Sequence, residues 1–169
     1  MPLSQVSISR SSGVVVGDPG VGKSFELQDL CRKLDASRHP VYYLPIQENP
    51  VATDDELRLS LGLPIGLFEY LAKMKRERNS AGPGVLVLDG FDSARSERTR
   101  RYYLGLAPRL RVKLQGTWNT IASVRTYDAQ RSQALLDLFP TTLGKELGDR
   151  YRSPGIFSRH FWVPPFSEQ

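Results

Sequence analysis

The chain of 169 residues contains a single cysteine, two histidines and no long apolar run. Because Cys31 is alone, an intrachain disulfide and a cysteine-based metal cluster are excluded. His39 and His160 have no partners at metal-ligand spacing, so we interpret both as structural residues. No stretch approaches the roughly 20 apolar residues that span a bilayer, and the polar segment 1–12 lacks the apolar core of a secretory signal. We therefore expect a cytoplasmic protein without a membrane partner.

The composition favours a single folded domain. Hydrophobic residues make up 40% and charged residues 24% of the chain, which is typical of a soluble fold and not of a disordered segment. A chain of this length can bury a sizeable core as one domain. The sequence has no internal repeat and no low-complexity tract, so we expect residues 1–169 to form one domain.

A complete phosphate-binding loop, G-x-x-x-x-G-K-[ST], lies near the start of the chain. It follows the apolar run Val14–Val16 and precedes a segment with helical spacing, and this context distinguishes such a loop from a chance match. Its glycines let backbone N–H groups approach phosphate oxygens, and the helix start adds its positive dipole end. The predicted nucleotide-binding residues are Gly17, Asp18, Pro19, Gly20, Val21, Gly22, Lys23, Ser24 and Phe25.

Two side chains of this loop have distinct expected roles. Lys23 should reach the β- and γ-phosphates, and the hydroxyl group of Ser24 should be a Mg²⁺ ligand. The loop therefore predicts that the chain binds ATP together with Mg²⁺, and ADP after hydrolysis.

The second informative segment is an apolar run that ends in acidic residues, from Val85 to Asp92. Such a run, bounded upstream by Gly82-Pro83-Gly84, is typical of a strand buried on both faces of a parallel sheet. Asp89 then lies at the carboxyl end of the strand, where open α/β sheets bind ligands. We predict that Asp89 is the Walker B acid, either a direct Mg²⁺ ligand or its close partner. The alternative is a strand-end aspartate that only caps a turn.

The sequence Asp89-Gly90-Phe91-Asp92 resembles the Walker B motif of signal-transduction ATPases of the STAND/NACHT type, within the wider AAA+-like group. In that pattern a glycine often follows the Walker B aspartate, and a second acid comes two positions after the glycine. The resemblance implies that Asp92 polarises the attacking water during ATP hydrolysis. In AAA+ proteins a glutamate directly after the aspartate has this role, whereas this chain has Gly90 there. The alternative is that Asp92 is the N-cap of a helix beginning near Ser93.

Strands and helices alternate along the chain. We predict strands at 14–16, 41–44, 85–88, 120–124 and 159–163, and helices at 22–34, 54–61, 67–78, 93–114 and 129–139. Pro108 should kink or split the helix at 93–114. The alternation predicts an α/β fold, a three-layer α/β/α sandwich around a mainly parallel five-stranded sheet. The resemblance implies the P-loop NTPase fold with the strand order 5-1-4-3-2.

Arg125 follows the strand predicted at 120–124. The sequence Ser123-Val124-Arg125-Thr126 resembles the Thr-Ser-Arg end of the corresponding strand in STAND ATPases. The resemblance implies that Arg125 is a catalytic residue that faces the γ-phosphate and reports its presence. A planar, permanently charged guanidinium suits phosphate oxygens. The alternative is a solvent-exposed arginine in a turn.

The final segment, 160–169, resembles the last core strand of STAND NTPases and its Pro-hydrophobic-Ser exit. In that family the chain continues into a small helical lid and a winged-helix domain. The resemblance covers about residues 12–167, so it implies either a truncated chain or a minimal protein that takes its missing parts from a partner. It thereby implies self-association or a partner protein in the full-length form.

Basic residues concentrate at 73–78 and 95–113, and the formal net charge is +5. These clusters either contact another subunit or a nucleic acid, or form the solvated face of an amphipathic helix. No nucleic-acid-binding motif accompanies them. Three functions remain open: an ATP-hydrolysing nucleotide switch of the STAND/NACHT type, an AAA+-like ATPase or loader acting on nucleic acid, and a P-loop small-molecule kinase with a lid in 137–152.

Overall fold

Five parallel strands form one sheet in the computed structural model, which describes residues 12–139 and 160–163. The strands are β1 Gly13–Val16, β2 Val41–Pro45, β3 Gly84–Asp89, β4 Trp118–Val124 and β5 His160–Trp162. Their order across the sheet is β2-β3-β4-β1-β5, and every neighbouring pair is parallel. This is the predicted order counted from the opposite edge, so the predicted α/β fold is confirmed.

The described strands are connected by α-helices and by two short 3₁₀ turns. The helices are α1 Lys23–Ala36, α2 Asp54–Ser60, α3 Leu67–Arg78, α4 Glu97–Lys113, α5 Thr126–Arg131 and α6 Gln133–Leu138. The first 3₁₀ turn, Ile46–Glu48, follows β2, and the second, Phe91–Ser93, follows β3. Among the helices, α3 has the predicted bounds, and α1 and α2 agree with theirs to within two residues.

Both faces of the sheet are buried, which explains why its strands are continuous apolar runs. In β3, Leu86 and Leu88 belong to one hydrophobic cluster, and Val85 and Val87 belong to the other. Side chains from α2, α3 and α4 complete the first cluster, and side chains from α1 complete the second. The predicted three-layer arrangement is therefore confirmed.

The helix α4 continues through Pro108, so the predicted split is wrong. Leu106 and Leu110 flank the proline and are both fully buried in the core. Their packing offsets the hydrogen bond that proline removes from a helix. Pro108 itself is exposed, so its ring takes no place in the core.

The helix predicted at 129–139 is two short helices, α5 and α6, separated at Ser132. Ser132 Oγ accepts a hydrogen bond from the N–H of Leu135 at 3.4 Å, and the backbone carbonyl of Ser132 accepts from the same N–H at 3.0 Å. A serine at such a position competes with the helical backbone pattern and starts a new helix instead. The first of the two helices begins directly after Arg125.

The carboxyl ends of four strands meet at one edge of the sheet. Val16 at the end of β1 pairs with Val124 at the end of β4. Pro45 at the end of β2 pairs with Asp89 at the end of β3. The segments that follow these strands therefore start side by side, and they contain the phosphate-binding loop, both predicted acids and Arg125.

None of the helices in the described part of the chain is long and apolar enough to cross a membrane. The Pro-hydrophobic-Ser exit at 164–167 lies outside the described residues, as does most of the kinase lid considered at 137–152.

We expect opposite effects from adding a methyl group at two glycines. An alanine Cβ at Gly84 would lie 2.5 Å from Cδ2 of the buried Trp118 ring, so Gly84→Ala should lower the free energy of unfolding by about 1–3 kcal/mol. At Gly105, inside α4, the Cβ would meet no atom within 4 Å. Gly105→Ala should therefore raise the free energy of unfolding by roughly 0.5–1 kcal/mol. Denaturant unfolding of both variants checks this, and shifts of the same sign would contradict the packing described here.

Candidate functional site

The loop between β1 and α1 encloses the ammonium group of Lys23. Its Nζ donates hydrogen bonds to the carbonyl oxygens of Gly17 at 2.7 Å and Asp18 at 2.9 Å. Gly20 and Gly22 have φ angles of 81° and 87°, a left-handed conformation that glycine adopts without steric cost. Burial lowers the pKa of Lys23, and the neighbouring Asp92 carboxylate opposes this shift. The structure therefore holds the lysine inside the loop, with the geometry expected of a phosphate-binding cradle.

The first residue of the loop is tightly packed. A Cβ at Gly17 would lie 2.8 Å from Cγ2 of Val21 and 3.0 Å from the carbonyl oxygen of Val163, so no larger residue fits there. Val21 is buried in the core, so its side chain takes part in packing and its predicted contact with a nucleotide would come from its backbone N–H. Phe25 is 64% exposed, with the guanidinium carbon of Arg32 6.0 Å from its ring centroid.

Two hydroxyl groups hold the Asp89 carboxylate, which is only 7% exposed. Tyr43 Oη donates to Oδ2 at 2.5 Å, and Ser123 Oγ donates to Oδ1. Ser123 Oγ in turn accepts a hydrogen bond from the Gly90 N–H at 2.7 Å. Burial and the hydrogen bond to Asp89 raise the pKa of Tyr43, so the phenol remains a donor at neutral pH. The Asp89 carboxylate is thus fixed in orientation from both sides.

Asp92 and Arg125 form an ion pair, with Arg125 Nε 2.7 Å from Asp92 Oδ2. The Asp92 side chain is 8% exposed and the Arg125 side chain 52% exposed. The helix α4 begins at Glu97 and is capped by Ser96, so the alternative that Asp92 is its N-cap is wrong. The structure therefore brings together the two residues that the sequence analysis selected as catalytic.

These groups line one open cavity of about 450 Å³ at the carboxyl edge of the sheet. Its lining contains seven of the predicted residues, namely Pro19, Gly20, Lys23, Ser24, Asp89, Asp92 and Arg125. The cavity is large enough for the phosphate groups of a nucleotide. Its cradle, its cation and its acids have the chemistry that a magnesium-bound triphosphate requires, so the residues fit that ligand.

The described residues contain no group of three or more acidic, histidine or cysteine side chains arranged to hold a metal ion. Mg²⁺ commonly takes only one or two protein ligands and completes its shell with phosphate oxygens and water. Ser24 and Asp89 are the residues that would hold it here.

The sequence analysis assigned no role to Tyr43, Ser123, Gln28, Gln47 or Glu48, which also line the cavity. Tyr43 lies 46 positions from its partner Asp89, so only the pairing of β2 with β3 brings the two together. Tyr43 and Ser123 lie near the carboxyl ends of β2 and β4. This position is the signal in the sequence that could have indicated both residues.

The fold resembles that of solved P-loop ATPases. The Orc1 protein of Aeropyrum pernix, solved in complex with DNA, matches with a TM-score of 0.54 and 18% identity, over 98% of this chain and 44% of that one. A Walker-type ATPase of Pyrococcus abyssi matches with a TM-score of 0.50 and 16% identity, over 91% of this chain and 49% of that one. This chain has the P-loop NTPase fold.

The chain spans less than half the length of either of these proteins. At these identities the resemblance establishes the fold and not the activity. No protein-family model and no curated protein sequence matches the chain. The finer assignment to the STAND/NACHT type therefore depends on the motifs at Asp89–Asp92 and Ser123–Thr126.

We expect Asp89→Asn to weaken nucleotide binding only when Mg²⁺ is present. The variant keeps the shape of the side chain but removes the negative charge that a nearby Mg²⁺ requires. Asp55→Asn is the matched control, because Asp55 is an exposed aspartate on α2 outside the cavity. Calorimetric titration with ATP, with and without Mg²⁺, measures the effect. An equal loss of affinity under both conditions would show that Asp89 has a structural role instead.

Proposed function

We propose that this domain binds ATP with Mg²⁺ and hydrolyses it, and that it is the nucleotide-switch domain of a signalling ATPase of the STAND/NACHT type. The observation that carries the proposal is the single cavity that joins the Lys23 loop to Asp89 and to the Asp92–Arg125 ion pair. A phosphate cradle alone indicates binding, whereas a cradle facing acids and an arginine has the parts that hydrolysis needs.

Binding requires an exchange of partners at Lys23. The ammonium donates to two backbone carbonyls of its own loop. A triphosphate offers charged oxygens in their place, and hydrogen bonds to charged acceptors are stronger than those to neutral ones. When bound, Mg²⁺ would offset negative charge on the phosphate oxygens and would be held by Ser24 and Asp89.

Hydrolysis proceeds by attack of a water oxygen on the γ-phosphorus. The bond from the γ-phosphorus to the bridging oxygen breaks, and its electron pair stays on the ADP that leaves. Arg125 stabilises the charge that develops on the phosphoryl oxygens. When Arg125 turns toward the phosphate it releases Asp92, whose carboxylate is then free to polarise the water.

The same exchange supports the role of a switch. Arg125 has two possible anionic partners, the Asp92 carboxylate and a γ-phosphate, and only ATP provides the second. The partner of Arg125 therefore differs between the ATP-bound and ADP-bound forms, and α5 begins directly after this residue. We propose that the change of partner at Arg125 shifts α5. In the full-length form, α5 would transmit this shift to a second copy of the chain or to a partner protein.

An AAA+-like ATPase that acts on nucleic acid is the second candidate, and a groove on the opposite edge of the sheet favours it. The groove has a volume of about 550 Å³ and is lined by Lys75, Arg76 and Lys113, with no carboxylate among its lining residues. Three cations without a balancing acid attract phosphodiesters.

The double variant Arg76→Ala/Lys113→Ala tests this second candidate. If the groove binds DNA, the variant should lower DNA affinity. The slope of log affinity against log salt concentration should also fall by about the contribution of two phosphate contacts. Fluorescence anisotropy over a range of salt concentrations measures both quantities. Wild-type protein that binds no DNA at low salt would eliminate the candidate.

We expect Lys23→Ala to abolish triphosphate binding while the fold stays intact. The side chain donates only to its own loop, so its removal costs little core packing but removes the cation of the cradle. Lys73→Ala is the control, because Lys73 is an exposed lysine on α3 that does not line the cavity. Calorimetry with ATP and circular dichroism measure the two properties. Undiminished ATP affinity in a folded Lys23→Ala variant would overturn the proposed function.

A further inference from the structure

A third carboxylate lines the cavity, and it belongs to Glu48. Glu48 is the last residue of the first 3₁₀ turn, which directly follows β2. Because Pro45 pairs with Asp89 in the sheet, this turn starts beside the end of the Walker B strand. Glu48 therefore lines the same cavity as Lys23 and Ser24, from the β2 side, and its side chain is exposed.

The three carboxylates of the cavity differ in what they already bind. Asp89 accepts hydrogen bonds from two hydroxyl groups, and Asp92 is paired with a guanidinium. Within residues 12–139 and 160–163, the exposed Glu48 side chain has no hydrogen-bond or ion-pair partner. Of the three, Glu48 thus has both carboxylate oxygens available to a water molecule without any exchange of partners.

The turn that carries Glu48 is fixed to the core by its neighbour Asn49. The Asn49 side chain donates to the carbonyl oxygen of Pro45 at 2.9 Å and accepts from Ser60 Oγ at 2.7 Å. The Asn49 carbonyl oxygen accepts a hydrogen bond from the buried Tyr103 hydroxyl at 2.7 Å. Asn49 is itself buried, so these bonds satisfy polar groups that would otherwise be costly. The backbone at Glu48 is therefore held in place although its side chain is exposed.

We propose that Glu48 is the catalytic residue that accepts the proton of the attacking water, and this inference rests on the proposed ATP hydrolysis. As the water oxygen bonds to the γ-phosphorus and the bond to the bridging oxygen breaks, one water proton moves to a carboxylate oxygen of Glu48. The electron pair of the broken bond stays on ADP, and Glu48 later returns its proton to the solvent or to the released phosphate. Asp92 and Arg125 then orient the water and the phosphoryl group.

The location of Glu48 has a consequence that does not depend on turnover. A carboxylate close to the site of the γ-phosphate repels ATP more than ADP, because ADP lacks that group. Removing the charge should therefore raise the ratio of ATP affinity to ADP affinity. Because solvent screens charges in an open cavity, the expected increase is modest, roughly three- to tenfold.

The test compares Glu48→Gln with Glu69→Gln in the 169-residue chain. Glu69 is an exposed glutamate on α3 that does not line the cavity, so its substitution removes the same charge from elsewhere. Calorimetry measures the affinities for ADP and for a non-hydrolysable ATP analogue, each with Mg²⁺. Single-turnover assays measure the rate of hydrolysis of bound ATP.

We expect Glu48→Gln to raise the affinity ratio and to slow hydrolysis on the order of 10²-fold, while Glu69→Gln changes neither. An unchanged affinity ratio in Glu48→Gln, with wild-type protein binding the ATP analogue, would overturn the inference and leave the proposed function standing. Hydrolysis by Glu48→Gln at the wild-type rate would also overturn it. If the wild-type protein binds no triphosphate, the proposed function fails and this inference fails with it.

Discussion

The parallel pairing of β2, β3, β4 and β1 is the constraint on which the whole candidate site depends. The polar groups of the cavity lie near or just after the carboxyl end of one of these strands, or in the first two turns of the helix that follows β1. The register that places Val16 opposite Val124 and Pro45 opposite Asp89 therefore sets the distances among them. A shift of one residue in any pair would exchange the two buried faces of a strand, so the core itself maintains the geometry of the site.

The parts of the structure that could be predicted are those determined by local pattern. The phosphate-binding loop, the continuous apolar run of β3 and the bounds of α3 follow from residues adjacent in the chain. The contact between Tyr43 and Asp89 could not be predicted, because it depends on a strand register between distant segments. The continuation of α4 through Pro108 also depends on tertiary contacts, because the packing of neighbouring residues outweighs the preference of proline.

The charged groups of the site have partners from their own chain. Lys23 binds carbonyls of its loop, Asp89 binds two hydroxyl groups, and Asp92 binds Arg125. A half-buried charge without a partner would be costly, so these contacts stabilise the site. Under the proposed function a triphosphate would replace the partners of Lys23 and Arg125. Nucleotide binding and a change of conformation would then be coupled at the level of individual hydrogen bonds.

The charges of the cavity also determine what can enter it. Lys23 and Arg125 supply two positive charges, while Glu48, Asp89 and Asp92 supply three negative ones, so the ionised side chains that line it sum to −1. A triphosphate alone would meet net repulsion from these side chains, offset only by the backbone N–H groups of the loop. A triphosphate that arrives with a divalent cation has part of its negative charge offset, so it would meet less repulsion. The proton-accepting role proposed for Glu48 adds to this requirement, because a free carboxylate near the reacting phosphate is tolerated only when the metal offsets its charge.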